Sequence, residues 1–179
     1  MPCGTITITQ RDLECRDVFG GIEKVYFGEF SSGIWEAPGG TTDGVIDDAT
    51  AALTIYGFDT SRNVSSLVQT INASTENRTI YFEQTLTLVL PGLDGTDQVE
   101  LLNLAKGRLV VVVKDVNGNY FVVGNIRGAE VTASEVTSGV AAGDLRGITL
   151  TVVAQEQTAA PFLDWDSATN ETTGNVTPA

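Results

Sequence analysis

The chain contains no histidine and few basic residues, and these shortages exclude several classes of function. Without histidine it lacks the commonest general base, the serine and cysteine triads and histidine-ligated metal sites. Ten Lys and Arg stand against 23 Asp and Glu, so the formal charge is −13. Such a surface is not expected to attract nucleic-acid phosphates or an anionic membrane.

Cysteine and long apolar runs are also scarce. Cys3 and Cys15 could pair or stay reduced; small buried thiols are the favoured interpretation, and a zinc site of Cys and His ligands is not expected. No apolar run approaches the ~20 residues that cross a bilayer, and the first fifteen residues lack the basic-then-apolar order of a signal peptide. We therefore expect synthesis in the cytoplasm and no membrane contact.

Threonine, valine and glycine are abundant, and this composition favours strands over helices. With 42% apolar residues, a chain of 179 residues is long enough for one packed domain. We place that domain at residues 1–163. Beyond it, residues 164–179 contain Val176 as the only large apolar residue after Trp165, which predicts a mobile acidic tail.

The clearest alternation in the chain lies at residues 79–90 and predicts a half-buried antiparallel strand. The inward face holds Ile80, Phe82, Leu86, Leu88 and Leu90, interrupted by Gln84. The opposite face holds Thr79, Tyr81, Glu83, Thr85 and Thr87. Because the polar stretch "STENR" precedes this strand and an apolar run precedes that stretch, we predict a projecting hairpin over residues 64–90.

One helix is predicted at residues 97–106. Asp97 fits the N-cap, Glu100 three residues later completes a capping box, and Gly107 fits a left-handed stop. Val99 and Leu102 contribute to an apolar stripe, so the helix is expected to pack on the sheet.

The segment "RLVVVVKDVNGNYFVVG" (108–124) predicts a second hairpin on a two-residue turn at Asn117-Gly118. Its four consecutive valines are apolar on both faces, and we expect a neighbouring copy of the chain to cover one of them. A glycine-rich loop at 134–147 and a final strand at 148–156 follow. Seven or eight strands and one helix predict an antiparallel β-sandwich or partly closed β-barrel with one flanking helix.

Catalytic and cofactor sites are not expected. The closest carboxylate pairs, Asp47 with Asp48 and Asp164 with Asp166, have no other catalytic group beside them and are interpreted as solvated acidic segments. "DVNGN" at 115–119 lacks the later Gly and Glu of a calcium loop, and the turn explains it. We predict neither an enzyme nor a bound metal or cofactor.

Several segments, taken together in order and spacing, carry a resemblance to a known family. They are "CGTITITQRDLECRDVFGGIEKVYFGEF", "SSLVQTI", "YFEQTLTLVL", "LAKGRLVVVVKDVNGNYFVVG" and "GAEVTASEVTSGVAAGDLRGITLTVVAQEQTAAPFL". With these the chain resembles virion structural proteins of tailed phages that infect Bacteroidetes, most closely major tail tube proteins. The resemblance covers nearly all of the chain except the last dozen or so residues.

This resemblance implies a subunit that assembles into stacked, hexameric rings. The hairpin at 64–90 would join its neighbours into an inner barrel whose acidic lumen conducts viral DNA without binding it. The implied lumen residues are Glu76, Arg78, Thr79, Tyr81, Glu83, Thr85 and Thr87. The loop at 31–48 would contact the next ring through Ile34, Trp35, Glu36, Asp43, Asp47 and Asp48. The implied partners are further copies and other tail, baseplate or connector proteins, and the implied location is the virion tail.

Two alternatives stay open on the sequence. A head-tail connector, stopper or tail-terminator ring would use the same fold but would not stack. A capsid decoration or host-binding protein would form a discrete oligomer with exposed aromatic residues, for which Trp35 and Trp165 are the only support.

Overall fold

The computed structural model describes residues 19–35, 44–60, 64–92, 94, 96–168 and 176–179. The strands are β1 (Ile22–Glu29), β2 (Val45–Ile46), β3 (Leu53–Asp59), β4 (Ser66–Ser74), β5 (Thr79–Pro91), β6 (Leu109–Asp115), β7 (Tyr120–Val123), β8 (Ala129–Thr137), β9 (Gly147–Glu156), β10 (Phe162–Leu163) and β11 (Val176–Pro178). The helices are α1 (Asp97–Lys106) and the single turn α2 (Trp165–Ala168). Cys3 and Cys15 lie outside the described residues.

All these strands belong to one sheet that curls into an open half-barrel, which confirms the predicted mainly β fold. Its main path runs β11-β3-β1-β6-β8-β9-β5-β4. β6 is the branch point, because it pairs with β7 over most of its length but with β8 only at Leu109 opposite Ala129. The described residues form eleven strands rather than seven or eight. β2, β10 and β11 are too short to show a period, and β8 was not predicted as a strand because its sequence does not alternate.

The four valines of β6 are buried on both faces by the chain itself. Val111 and Val113 contact a first core that includes Leu86 and Leu150 from β5 and β9. On the opposite face, Val110 and Val112 contact a second core, which contains Ile34, Trp35, Ile46, Leu53, Ile55, Leu163 and Val176. The expectation that a neighbouring copy covers one face is therefore wrong. The covering residues come from β3, from the described part of the loop at 31–48 and from the tail. In the loop and the tail, short apolar stretches of one or two residues give no periodic signal.

The described part of the tail packs against the domain, which corrects the predicted mobile segment. Trp165 stacks on Tyr120 with ring centroids 4.4 Å apart and an interplanar angle of 10°. β11 adds to the sheet in parallel with β3, and Val176 opposite Leu53 is only 3% exposed. Val176, the one large apolar residue near the end of the chain, is thus the residue that anchors it.

The helix occupies its predicted residues, but both predicted caps are wrong. Thr96 holds the N-cap position in a helical conformation without a side-chain hydrogen bond, so Asp97 already lies inside the helix. Gly107 is extended (φ −113°, ψ 169°) because the chain passes directly into β6. The apolar stripe is also only partly used: Leu104 packs on the first core, whereas Val99 and Leu102 are more than half exposed.

The hairpin of β6 and β7 is present with a three-residue loop instead of the predicted two-residue turn. The Asp115 N–H donates to the Asn119 carbonyl (2.9 Å), and within the loop only Gly118 has a positive φ (88°). A two-residue type I′ turn needs two such residues. The Asp115 carboxylate accepts hydrogen bonds from the backbone N–H groups of Asn117 and Asn119. This carboxylate therefore stabilises the turn.

The glycine-rich loop predicted at 134–147 begins later than expected. β8 continues to Thr137 and pairs with β9, which shortens the loop to residues 138–146. The sequence of β8 mixes Thr, Ser, Glu and Ala without alternation, because most of its side chains are exposed.

Candidate assembly surface

Four long strands, β8, β9, β5 and β4, form an antiparallel unit that we call the ribbon. β5 pairs with β9 from Phe82 opposite Glu156 to Pro91 opposite Gly147. β4 pairs with β5 along its entire length, so the predicted hairpin is present, with its turn at residues 75–78. β8 pairs with the other side of β9, with a bulge between Val131 and Ala133.

One face of the ribbon is polar and points away from the cores. Residues directly opposite in antiparallel strands share a face. Thr85 lies between Val68 and Val153, and Thr87 lies between Ser66 and Thr151. The alternation in β5 places Thr79, Tyr81, Glu83, Thr85 and Thr87 on this face, as predicted. Glu76 and Arg78 lie in the turn at the end of the hairpin.

The polar face is also acidic. Glu83 of β5 shares it with Glu130 and Glu135 of β8, which lie opposite Val153 and Thr149. Arg108 forms an ion pair with Glu130 at 3.3 Å, but both side chains are more than 60% exposed, so solvent screens the pair.

Gln84 interrupts the apolar face of β5 because it connects β5 to two neighbouring segments. Its side chain is completely buried. The amide nitrogen donates to the Thr158 carbonyl, and the amide oxygen accepts the Gly124 N–H, both at 3.2 Å. Burial of an amide is tolerable when it is hydrogen-bonded in this way. Glu156 has a related role, since its Oε1 accepts the N–H groups of Ile126 and Arg127.

The far end of the hairpin, which we call the tip (residues 71–82), extends past the rest of the sheet. β9 ends at Glu156, opposite Phe82, so the last pairs of β4 and β5 have no further strand beside them. Ile71 and Ile80, on the face that forms the core elsewhere, are 58% and 63% exposed. The prediction that Ile80 is an inward core residue is therefore wrong. The apolar period continues beyond the end of the core.

The ribbon has an unpaired edge on each side within the described chain. β4 is the last strand of the sheet, and its outer edge pairs with no described strand. On the other side, β8 pairs with β6 only at Ala129, and residues 132–136 are exposed. Helix α1 lies near β8. Edges of this length are uncommon on monomers, because they offer hydrogen-bonding groups to other chains.

The loop predicted to contact another ring folds back onto its own domain. Ile34 and Trp35 are 7% and 5% exposed and belong to the second core, which corrects their assignment to a surface contact. Asp47 is exposed, and the Asp48 carboxylate accepts the Ala49 N–H at 2.7 Å. Glu36 and Asp43 lie outside the described residues. Among the described members of the six predicted stacking residues, Asp47 is exposed and Asp48 is half-buried, whereas Ile34 and Trp35 are buried.

The side chains with a shifted pKa in the described chain are Asp144, Lys114 and Tyr120. The N–H groups of Ala141 and Val140 donate to the Asp144 carboxylate at 2.7 and 2.9 Å and hold its pKa below the ordinary value. The Glu23 carboxylate, 2.8 Å from the Lys114 ammonium, raises the pKa of Lys114. Burial raises the pKa of Tyr120. None of these groups lies on the polar face of the ribbon.

Within the part of the chain that the structure describes, no group of three His, Cys, Asp or Glu side chains could hold a metal ion. No helix in the described ranges is both long and apolar enough to cross a membrane. Comparison with models of known protein families and with curated protein sequences finds no match to this chain.

Proposed function

We propose that the protein is the structural subunit of a phage tail tube and assembles into rings that stack around a channel for viral DNA. It would act without catalysis, in the virion tail, after synthesis in the host cytoplasm. The observation that carries the proposal is the ribbon: four long antiparallel strands with a polar, acidic face and, on each side, an edge that, apart from Ala129, pairs with no other described strand.

The strand directions suit closure into a ring. β4 and β8 are the outer strands of an even number of alternating strands, so they run in opposite directions. When copies are related by rotation about one axis, the β4 edge of one copy meets the β8 edge of the next in an antiparallel orientation. Such head-to-tail contacts generate rings when the rotation closes, and a closed barrel removes both edges.

The polar face suits the inside of such a barrel. Threonines of β5 and β9 and the carboxylates of Glu83, Glu130 and Glu135 would line the channel. Like charges deny a polyanion a binding minimum, so DNA could pass without being held. The opposite face already packs against the rest of the domain, which would form the outer wall.

The size of the channel follows from the number of strands. With neighbouring strands about 4.8 Å apart and tilted by about 40°, four strands from each of six copies give a backbone diameter of roughly 40–50 Å. Side chains narrow this channel further. Rings with another number of copies would change the diameter in proportion.

Negative-stain electron microscopy of the purified chain at several concentrations, with its mass measured in solution, tests the proposal. Rings that stack into open tubes with a central channel are expected. Single rings that never stack would favour a connector or terminator ring over a tube subunit. A monomer or trimer without a channel at all concentrations would overturn the ring and favour a decoration or host-binding protein.

A further inference from the structure

The tip carries an exposed apolar patch that no part of the described chain covers. Ile71 lies opposite Phe82, and Ala73 lies opposite Ile80, so these four side chains form one contiguous surface on a single face of the hairpin. Ile71, Ala73 and Ile80 are exposed. A patch of this kind on a projecting element is typical of an interaction site rather than of a free surface.

A complementary recess lies at the other end of the same strand. We call it the base groove; it is lined mainly by Phe58, Leu90, Leu104 and Ile148, with a volume of about 190 Å³. Ile80 and Leu90 are ten residues apart on β5, which corresponds to roughly 33 Å. The tip and the base groove therefore lie at opposite ends of the ribbon, and one copy cannot fill its own groove with its own tip.

The base groove is acidic, and the turn at the tip carries one basic side chain, Arg78, next to the apolar patch and one acidic side chain, Glu76. The base groove is bordered by the carboxylates of Asp59 and Glu100. Asp59 lies 3.4 Å from the Lys24 ammonium, but its side chain remains 86% exposed. At the tip, Arg78 is exposed and held in a left-handed conformation (φ 51°) between Asn77 and Thr79, directly beside the apolar patch.

We propose that the tip of one copy inserts into the base groove of a copy in the next ring, and that this contact stacks the rings. Ile80 would enter the groove between Phe58 and Leu104, and Arg78 would lie against Glu100 and Asp59. The inference rests on the proposed tube, and it assigns stacking to the tip instead of to Ile34 and Trp35. Because the two surfaces differ and lie at opposite ends, the contact repeats without closing and allows tubes of indefinite length.

A charge exchange tests this contact. Arg78→Glu alone and Glu100→Lys alone are expected to leave the mass of the single ring unchanged and to abolish tubes in electron micrographs. The double variant Arg78→Glu/Glu100→Lys restores opposite charges and is expected to recover tubes. A structural defect in either variant would not be repaired by the second substitution, so recovery identifies the pairing.

Ile80→Ser gives an independent test of the apolar part and is also expected to yield rings without tubes. Val140→Ser is the matched control, since Val140 is fully exposed in the loop between β8 and β9 and should not affect stacking. Tubes that tolerate both Ile80→Ser and Arg78→Glu would overturn the inference while leaving the tube itself intact. Loss of rings with Ile80→Ser would overturn it by placing the tip in the contact within a ring. Absence of rings from the unmodified chain would overturn this inference and the proposed function together.

Discussion

β6 and the tip of the hairpin are both apolar in sequence, yet their surroundings are opposite. All four valines of β6 are at most 1% exposed, whereas Ile71 and Ile80 of the tip are more than half exposed. β6 lies at the branch point of the sheet and is covered on one face by β5 and β9 and on the other by β3, loop and tail residues. An apolar pattern therefore shows which residues need covering but does not show what covers them.

The largest expected effect comes from a charge in the first core. Leu86→Asp places a carboxylate where the leucine is completely buried, and we expect a loss of about 4 kcal/mol or more of folding stability. A thermal melt followed by circular dichroism should show an unfolded chain. Thr85→Asp, one residue away on the polar face, is expected to keep the monomer folded and to weaken assembly more than stability. Equal tolerance of the two substitutions would contradict the register of β5.

Removal of a covering residue from the second core should also destabilise the monomer. Trp35→Ala deletes a side chain that is 5% exposed, and we expect a cost of about 3–5 kcal/mol in urea unfolding. Trp35→Phe is the control. It keeps most of the apolar volume and removes an indole N–H that has no hydrogen-bond partner among the described residues, so its cost should be smaller. A negligible effect of Trp35→Ala would mean that the loop does not cover β6.

The two faces of β6 can be compared directly. Val111→Ala and Val112→Ala remove methyl groups from the first and the second core respectively, and each should cost about 2 kcal/mol in the monomer. Val68→Ala on the exposed edge strand should change stability by less than about 0.5 kcal/mol. If a neighbouring copy rather than the chain itself covered one face, one of the two β6 variants would be as mild as Val68→Ala below the assembly concentration.

The smallest expected effect concerns the loop between β8 and β9, which lies away from both regions. The pKa of Asp144 is lowered in the folded chain, so its contribution to stability is present above the ordinary value near 4 and is lost as the pH falls through the lower folded value. Asp144→Asn should therefore reduce the urea midpoint slightly at about pH 6, and the difference from the unmodified chain should shrink towards about pH 3. A difference that grows on acidification would contradict the sign.

Periodic segments were predicted well from the sequence, and irregular ones were not. The alternation of β5 predicted both of its faces and the hairpin, and the run in β6 predicted a strand buried on both sides. The loop and tail residues of the second core could not be predicted, because Ile34, Trp35, Ile46 and Val176 lie in apolar stretches of one or two residues without a period. The predicted helix caps were wrong for a related reason. Gly107 is extended because the same chain continues directly into β6, and Thr96 takes the N-cap position without a side-chain hydrogen bond.

The candidate site was predicted in part. The sequence identified the polar face of β5, because that face depends only on the alternation within one strand. The threonines of β9, the acidic residues of β8 and the two edges without a described partner strand depend on which strands become neighbours. The sequence of a single strand does not specify this. Exposure of the tip depends on where β9 ends relative to β5, which the sequence of β5 alone does not specify either.

Hydrogen exchange measured by mass spectrometry, below and above the concentration at which the chain assembles, tests most directly that the two edges of the ribbon join copies. We predict that peptides covering β4 and residues 132–137 of β8 gain protection on assembly, while β6 is strongly protected in both states. The short edge strand β11 should change little and serves as the internal control. Assembly that leaves β4 and β8 unprotected, or protection gained only elsewhere, would show that these two edges do not join the copies.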